Sequence, residues 1–110
     1  MSNASPPEKS LFGRRLREAR LRAGLAQDKL GVMIGLDEGS SSARMSRYEN
    51  AVHEPAFVWV EKMAVALNVP AAYFYCDDDR LVEIMLAYAA VSEKKRKLLY
   101  AHATELLGTT

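Results

Sequence analysis

The stretch GLDEGSSSARMSRYEN, residues 35–50, lies near the middle of the chain and decides how the fold is interpreted. Its first half is rich in glycine and serine, which is typical of a flexible loop or a linker. Its second half, from Ser42 to Asn50, is polar and basic apart from Met45 and Tyr48, and it predicts a short helix. A domain linker would be featureless, whereas a loop that presents a basic helix to another molecule would be functional.

Helical patterns precede this stretch. Phe12, Leu16, Ala19 and Ala23 recur at helical spacing, which predicts a first helix that ends at Gly24. A second helix is predicted over residues 27–34.

Gly31 lies inside the second predicted helix, where glycine costs about 1 kcal/mol relative to alanine. Close approach of another helix is the expected reason for a glycine at this position. Gly35 is expected to end the helix.

Further helices are predicted after the stretch. One spans residues 56–67, and its expected inner stripe consists of Phe57, Val60, Ala64 and Leu67. Val58 and Val65 lie on the far side of this helix, where a five-helix bundle alone would leave them largely exposed. A short helix is predicted over residues 71–75.

The C-terminal third predicts two more helices, one over residues 80–91 and one capped by Ser92. The first carries two apolar stripes, one with Leu81, Ile84, Met85 and Tyr88, the other with Val82, Leu86 and Ala89. Two stripes on one helix indicate burial from two directions.

Length and composition limit the possible functions. A chain of 110 residues fits one domain, and no apolar run approaches the ~18 residues that a membrane span needs. Cys76 is the only cysteine, which excludes an internal disulfide and fits the expected cytoplasmic location.

The formal net charge is only +1, but residues 9–22 carry six basic side chains against Glu18 alone. Such an uneven distribution suits an anionic partner better than the total charge suggests.

Neither a metal site nor a cofactor site is predicted. His53 and His102 lack the spacing of Cys/His metal ligands. The aspartates at positions 77–79 lack calcium-loop spacing and are expected to stabilise a helix N-terminus. Cys76 lies beside these aspartates, so it lacks the electropositive surroundings of an activated thiolate. No nucleophile motif supports an enzyme.

Two short helices joined by a turn, the second polar and basic, suggest a helix-turn-helix. The segments LREARLRAGLAQDKLGVMIGL, ARMSRYENAVHEP and MAVALNVPAAYFY resemble the phage-repressor and Cro-like (XRE-type) family of DNA-binding proteins. The resemblance covers about residues 11–75. It implies an all-α fold, a compact five-helix, lambda-repressor-like helix-turn-helix bundle followed here by a C-terminal helical extension. In this family the third helix lies in the major groove.

The resemblance also implies roles for particular residues. The candidates for reading bases are Ser42, Ala43, Arg44 and Arg47, with a phosphate contact as the alternative for Arg44. The candidates for contacting DNA phosphates are Gln27, Ser41 and Asn50. Arg20 and Glu49 match a pair that forms an internal salt bridge in the family, so their expected role is structural.

This chain departs from the family pattern between Ile34 and Met45, where it is a few residues longer than the usual turn. The extra residues lie within LDEGSSS, residues 36–42, which predicts an expanded turn inside the motif instead of a linker between domains. Asp37 and Glu38 are expected to point away from DNA, because phosphates would repel them.

The expected organisation is a flexible segment over residues 1–9, a DNA-binding domain over residues 10–78, and a C-terminal helical extension over residues 79–110 that mediates dimerisation. The resemblance implies a sequence-specific regulator of transcription, a repressor that binds double-stranded DNA as a homodimer on a palindromic operator. An alternative is an antitoxin or partner-binding adaptor, whose helical tail binds another protein and for which DNA binding is secondary.

Overall fold

The structure is a computed structural model that describes residues 10–108. Within these residues the chain forms six α-helices and a short 3-10 helix, and no strand. In chain order the elements are α1 (Leu11–Arg22), α2 (Gln27–Met33), α3 (Glu38–Glu49), α4 (Phe57–Leu67), the 3-10 helix (Ala71–Tyr75), α5 (Asp79–Ala90) and α6 (Glu93–Gly108). The all-α prediction is confirmed, while the predicted flexible segment 1–9 lies outside the described residues.

Helices α1 to α4 and the 3-10 helix enclose one core. Its fully buried apolar side chains come from each of these elements: Leu16, Leu30, Met45, Val60, Met63, Tyr73 and Phe74. Phe12 packs against Phe74, with ring centroids 5.2 Å apart. The Tyr73 hydroxyl donates to the carbonyl oxygen of Arg15 at 3.1 Å, which satisfies the polar end of a large buried side chain.

Local sequence signals determine where α1 and α2 begin and end. The Ser10 hydroxyl accepts a hydrogen bond from the backbone N–H of Gly13 at 2.8 Å and caps α1. Gly24 and Gly35 follow α1 and α2 with φ of +71° and +101°, a conformation that glycine adopts at little cost. Both predicted helix ends are confirmed.

The connection between α2 and α3 is shorter than the sequence predicts. α3 begins at Glu38 and not at Ser42, so the prediction of an expanded turn is wrong. The extra residues instead add a turn to the start of α3. Ser41 supplies a physical reason, because its fully buried hydroxyl donates to the carbonyl oxygen of Asp28 in α2 at 2.7 Å. This packing outweighs the weak helix propensity of the glycine and serines.

Gly31 marks the closest approach of α2 and α3. A Cβ atom at Gly31 would overlap the hydroxyl oxygen of Ser41 and would lie 3.2 Å from Cγ of Met45. The predicted close approach at this glycine is therefore confirmed, and the neighbouring helix is α3.

α4 contributes Val60, Met63 and Ala64 to the core. Phe57 is 59% exposed, so its assignment to the inner stripe is wrong. It is the first residue of α4, and burial on that face begins one turn later, at Val60. Val58 and Val65 are 53% and 84% exposed, as expected for the bundle alone, and α5 and α6 leave them so.

α5 begins with an acidic cap. The carboxylate of Asp78 accepts hydrogen bonds from the backbone N–H groups of Arg80 at 3.0 Å and Leu81 at 3.2 Å, as predicted for these aspartates. One apolar stripe of α5 faces the bundle, where Val82 is buried and Leu86 packs against the core. Met85 also packs against the core, so its assignment to the other stripe is wrong. The other stripe is exposed and contains Leu81, Ile84 and Tyr88.

α6 has no buried residue. The Ser92 hydroxyl accepts a hydrogen bond from the N–H of Lys95 at 3.3 Å, which confirms the predicted cap. Large apolar side chains stay exposed along the helix: Leu98, Leu99, Tyr100, Leu106 and Leu107.

The radius of gyration is 16.3 Å, above the ~13 Å of a compact domain of ~100 residues. Within the described part of the chain, none of the helices combines the length and apolar character that a membrane span requires.

Candidate nucleic-acid interface

The two faces of α3 have opposite character. One face holds Ser41, Met45, Tyr48 and Glu49, and it is buried in the bundle. Spacings of three and four residues bring a second set of side chains to the other face of the helix. This exposed face is called the outer stripe, and it consists of Gly39, Ser40, Ala43, Arg47 and Asn50. α3 therefore presents a mostly polar surface with one full positive charge.

A buried ion pair anchors α3 to α1. Nε of Arg20 donates to Oε2 of Glu49 at 2.6 Å, and Nη2 of Arg20 donates to Oε1 at 3.1 Å. The third nitrogen of the guanidinium, Nη1, donates to the carbonyl oxygen of Leu25 at 2.9 Å. The predicted pair is thus formed, and its two-pronged geometry fixes the C-terminal end of α3.

Gln27 lies beside this ion pair. Its side-chain Nε2 donates to Oε1 of Glu49 at 3.2 Å, and the residue is half-buried at the start of α2. The side chain therefore links α2 to the pair that anchors α3. Its contact with a DNA phosphate stays a prediction.

Ser41 does not belong to the outer stripe. It has no exposed surface, and its hydroxyl is bound to the Asp28 carbonyl oxygen. A phosphate cannot reach it in this arrangement, so the predicted phosphate contact of Ser41 is wrong. Ser42, the next residue, is exposed at the edge of the outer stripe.

Arg44 is half-buried and points towards α4. Its Nη2 donates to the hydroxyl of Tyr48 at 2.8 Å, and its guanidinium carbon lies 5.3 Å from the centre of the Trp59 ring. Nζ of Lys62 lies 4.9 Å from the same ring. Two cations therefore share one tryptophan beside α3. Base reading by Arg44, which stays a prediction, would require its present contacts to break.

Arg47 is the freest cation on α3. Its side chain is exposed, and its guanidinium forms no hydrogen bond or ion pair with any residue between 10 and 108, whereas its backbone carbonyl accepts from the N–H groups of Val52 and His53. Ala43 is exposed one turn before it, and Asn50 follows it at the end of the helix. The amide nitrogen of Asn50 donates to the carbonyl oxygen of Ser46 at 2.8 Å, so this side chain also closes its own helix.

Gly39 and Ser40 are outer-stripe residues that the sequence interpretation missed, because it placed them in a turn. The sequence contains little to reveal them. The position that anchors this part of α3 is a serine, Ser41, and not an apolar residue, so the helical repeat of apolar side chains stops at Met45. Only the packing against Gly31 shows that the helix continues towards its N-terminus.

Charges around the outer stripe are unevenly distributed. Asp37 and Glu38 are exposed at the N-terminal end of α3, where they complement the helix dipole. Arg44 and Arg47 lie towards the C-terminal half. Positive charge therefore concentrates on the second half of the helix, and a polyanion would be attracted there.

The family to which the chain belongs follows from a comparison with known proteins. The sequence model of the helix-turn-helix domain family matches residues 11–73, which is more than half of the chain and includes the whole surface just described. The chain belongs to the XRE-type helix-turn-helix family. The matched residues of this helix-turn-helix protein run from the start of α1 into the 3-10 helix.

A solved structure agrees with the family match and extends beyond it. The crystal structure of the transcriptional regulator BswR is similar to this helix-turn-helix protein, with a TM-score of 0.82 and 41% sequence identity. The alignment covers 88% of this chain and 96% of that chain, so the similarity includes helices beyond the family match. None of the curated proteins matches the sequence.

The surface of the helix-turn-helix domain around α3 is polar and carries positive charge. Within residues 10–108, no group of three or more His, Cys, Asp or Glu side chains is placed to hold a metal ion. The polar groups that converge on α3 either anchor it or lie on its outer stripe.

Proposed function

We propose that this helix-turn-helix protein is a sequence-specific, double-stranded DNA-binding regulator of transcription, acting as a repressor on a palindromic operator. The observation that carries the proposal is the outer stripe of α3, a rigidly anchored and exposed helix face with an unengaged arginine. The major groove of B-DNA admits one α-helix, and its base edges display a complete pattern of donors and acceptors.

Arg47 is the principal base-reading residue in this proposal. Its free guanidinium matches O6 and N7 of guanine, a pairing that discriminates against the wrong base by about 1–3 kcal/mol. Ala43 offers a methyl group, which suits the methyl of thymine. Ser42 reads a base edge from the rim of the stripe, and Ser40 is added to it as a polar group on the extra turn.

Phosphate contacts are assigned to Gln27 and Asn50, and to Arg44 in its present position. The geometry supports the last assignment, because Arg44 points away from the outer stripe towards Trp59 and Lys62. A cation held at the side of a recognition helix fits the backbone better than a base, and phosphate contacts position a protein on the duplex.

The dimer is proposed to form through α5 and α6. The stripe of Leu81, Ile84 and Tyr88 and the apolar residues of α6 are exposed in the single chain. An exposed apolar surface of this kind marks an interaction site. A two-fold dimer would present two copies of α3 to half-sites about 34 Å apart, or about 10 base pairs from centre to centre.

A second candidate function rests on the same observation. α6 has no buried residue, so its apolar side chains would equally serve a different protein partner. In that case the chain is an adaptor or antitoxin, and DNA binding is secondary.

The first experiment measures fluorescence anisotropy with labelled duplexes over a series of salt concentrations. The DNA just upstream of the gene is compared with a scrambled duplex, and a random-pool selection supplies the sequence if the operator lies elsewhere. We expect the wild-type protein to prefer one sequence. We expect Arg47→Ala to lose about 1–3 kcal/mol of binding free energy and most of that preference, with a similar salt slope.

Arg17→Ala is the matched control, because Arg17 is also an exposed arginine but lies on α1 and not on α3. It should leave the sequence preference intact. Light scattering at high micromolar concentration tests the dimer on the same samples. Absence of binding to any selected duplex would refute the regulator, and a monomer at that concentration would refute dimerisation through residues 79–110.

A further inference from the structure

α5 is attached to the bundle by polar contacts at both of its ends. At the first end, Arg15 in α1 is almost fully buried and donates from Nη2 to Oδ1 of Asp79 at 2.9 Å. Its Nε donates to the carbonyl oxygen of Cys76 at 2.9 Å, just before the helix. One guanidinium thus holds both the segment that leads into α5 and the first residue of α5.

The charge of Arg15 is secure in this position. Burial alone would lower its pKa, but hydrogen bonds to Asp79 and Glu18 and the charges of both carboxylates outweigh burial and raise the pKa. The contact with Asp79 is therefore charge-assisted, which makes it stronger and more directional than a neutral hydrogen bond.

The other end of α5 is held by Asn68, the residue that ends α4. Asn68 has a left-handed backbone, with φ of +55° and ψ of +50°, and its Nδ2 donates to the carbonyl oxygen of Ala89 at 3.3 Å. Between the two ends, Val82 is buried against the core. Two polar contacts at the ends and an apolar contact between them fix the direction of α5 on the bundle.

α6 follows α5 because a second arginine ties the two helices together. Nε of Arg96 donates to the carbonyl oxygen of Tyr88 at 2.7 Å, and Nη2 donates to that of Ala89 at 3.0 Å. The carbonyl oxygen of Ala89 therefore accepts from both Asn68 and Arg96. Whatever sets the direction of α5 also sets the direction of α6.

We propose that Arg15, Asp79 and Asn68 are positioning residues that set the distance and rotation between the two recognition helices, and so the half-site spacing of the operator. The proposal rests on the DNA-binding dimer proposed above. If α5 and α6 join two copies, the bundle of each copy is oriented only through its attachment to α5. One base pair of extra spacing moves a half-site by about 3.4 Å and turns it by about 35°, so a rigid attachment discriminates between spacings.

The test uses two variants that leave the core untouched. Asp79→Ala removes the acceptor for Arg15, and the Asp79 side chain is 82% exposed, so the change opens no cavity. Asn68→Gly removes the amide, and glycine keeps the left-handed backbone. Asp77→Ala is the matched control, since it removes the same charge from an exposed residue that precedes the cap.

Binding is measured on duplexes whose two half-sites are separated by spacers that differ by single base pairs. We expect the wild-type protein and Asp77→Ala to prefer one spacing sharply. In the double variant Asp79→Ala/Asn68→Gly, the preference over spacings one base pair longer or shorter should fall by about fivefold or more, the factor that corresponds to a lost hydrogen bond. Affinity for an isolated half-site should not change.

A second readout needs no DNA. In a Cys76→Ser background, spin labels at Ser42→Cys report the distance between the two recognition helices of the dimer. We expect a narrow distribution that broadens in the double variant. A wild-type protein that binds DNA without a spacing preference, or a double variant whose spacing profile and label distances match the wild type, would overturn this inference alone. A wild-type protein that binds no duplex would overturn it together with the proposed function.

Discussion

The helix-turn-helix bundle and the α5–α6 pair are both rich in leucine and alanine, yet they use these residues differently. In the bundle, α1 to α4 and the 3-10 helix each place at least one side chain in a common core. In the pair, only α5 reaches that core, and α6 buries nothing. The apolar pattern of a helix predicts that one of its faces needs to be buried. It does not predict whether the covering surface belongs to the same chain or to another molecule.

The largest loss of stability is expected from breaking the buried ion pair between Arg20 and Glu49. Glu49→Gln keeps the shape of the side chain but leaves Arg20 as an unpaired buried cation, which should lower the free energy of unfolding by about 3–5 kcal/mol. Urea denaturation followed by circular dichroism measures this change. Glu18→Gln is the control, because Glu18 is 41% exposed and its buried partner Arg15 keeps its ion pair with Asp79, so the loss should be about 0–1 kcal/mol. Equal losses in the two variants would contradict the assignment of a structural pair.

A matched pair of leucines compares the two regions directly. Leu30 in α2 is fully buried, so Leu30→Ala should cost about 2–5 kcal/mol through lost burial and a cavity. Leu98 in α6 is 63% exposed, so Leu98→Ala should change the stability of the single chain by less than about 0.5 kcal/mol. Denaturation at low protein concentration measures both.

At high protein concentration, the same Leu98 variant tests whether α6 takes part in dimerisation. If α6 mediates dimerisation, Leu98→Ala weakens the dimer in light scattering although the fold of the chain is unchanged, whereas Leu30→Ala acts on the fold itself. A large loss of single-chain stability from Leu98→Ala would show that α6 belongs to the core of its own chain.

Two glycines within the bundle are expected to give smaller effects than the loss of Glu49 or Leu30. Gly31→Ala would force a Cβ atom into Ser41 and Met45, and overpacking of this kind costs about 1–3 kcal/mol. Gly39→Ala meets open space inside α3, so it should stabilise the protein by about 0.5–1 kcal/mol through improved helix propensity. Thermal unfolding of the two variants gives shifts of opposite sign. A stabilised Gly31→Ala variant would contradict the close contact of α2 and α3.

The sequence predicts the bundle well because its elements are marked by local signals. Gly24 and Gly35 end helices, and Ser92 and the aspartates before α5 cap them. Gly31 indicates that another helix, here α3, approaches α2 closely. The start of α3 could not be found in this way, because a buried serine supplies the anchor where the apolar repeat would have an aliphatic side chain. Tertiary packing, which no local pattern encodes, turns the glycine- and serine-rich residues into helix.

In the candidate site, too, some features could be predicted from the sequence, while others depend on tertiary packing. The pairing of Arg20 with Glu49 follows from the family resemblance, and the exposure of Arg47 agrees with its predicted role. The burial of Ser41 and the orientation of Arg44 towards Trp59 could not be foreseen, because both depend on the rotation of α3 about its axis. A start four residues earlier leaves Arg47 in place and brings new residues, Gly39 and Ser40, to the same face.

The separation of the two faces of α3 has a consequence for how this protein can diverge. Ser41, Met45 and Glu49 are buried and hold the helix, whereas Gly39, Ala43 and Arg47 are exposed. If the outer stripe reads bases as proposed, substitutions at the second set would change the preferred DNA sequence without a penalty in folding, and duplicated copies of the gene would acquire new targets in single steps. The exposed face of α3 can vary while its buried face stays fixed. Designed libraries at these three positions would then explore new specificities on one unchanged scaffold.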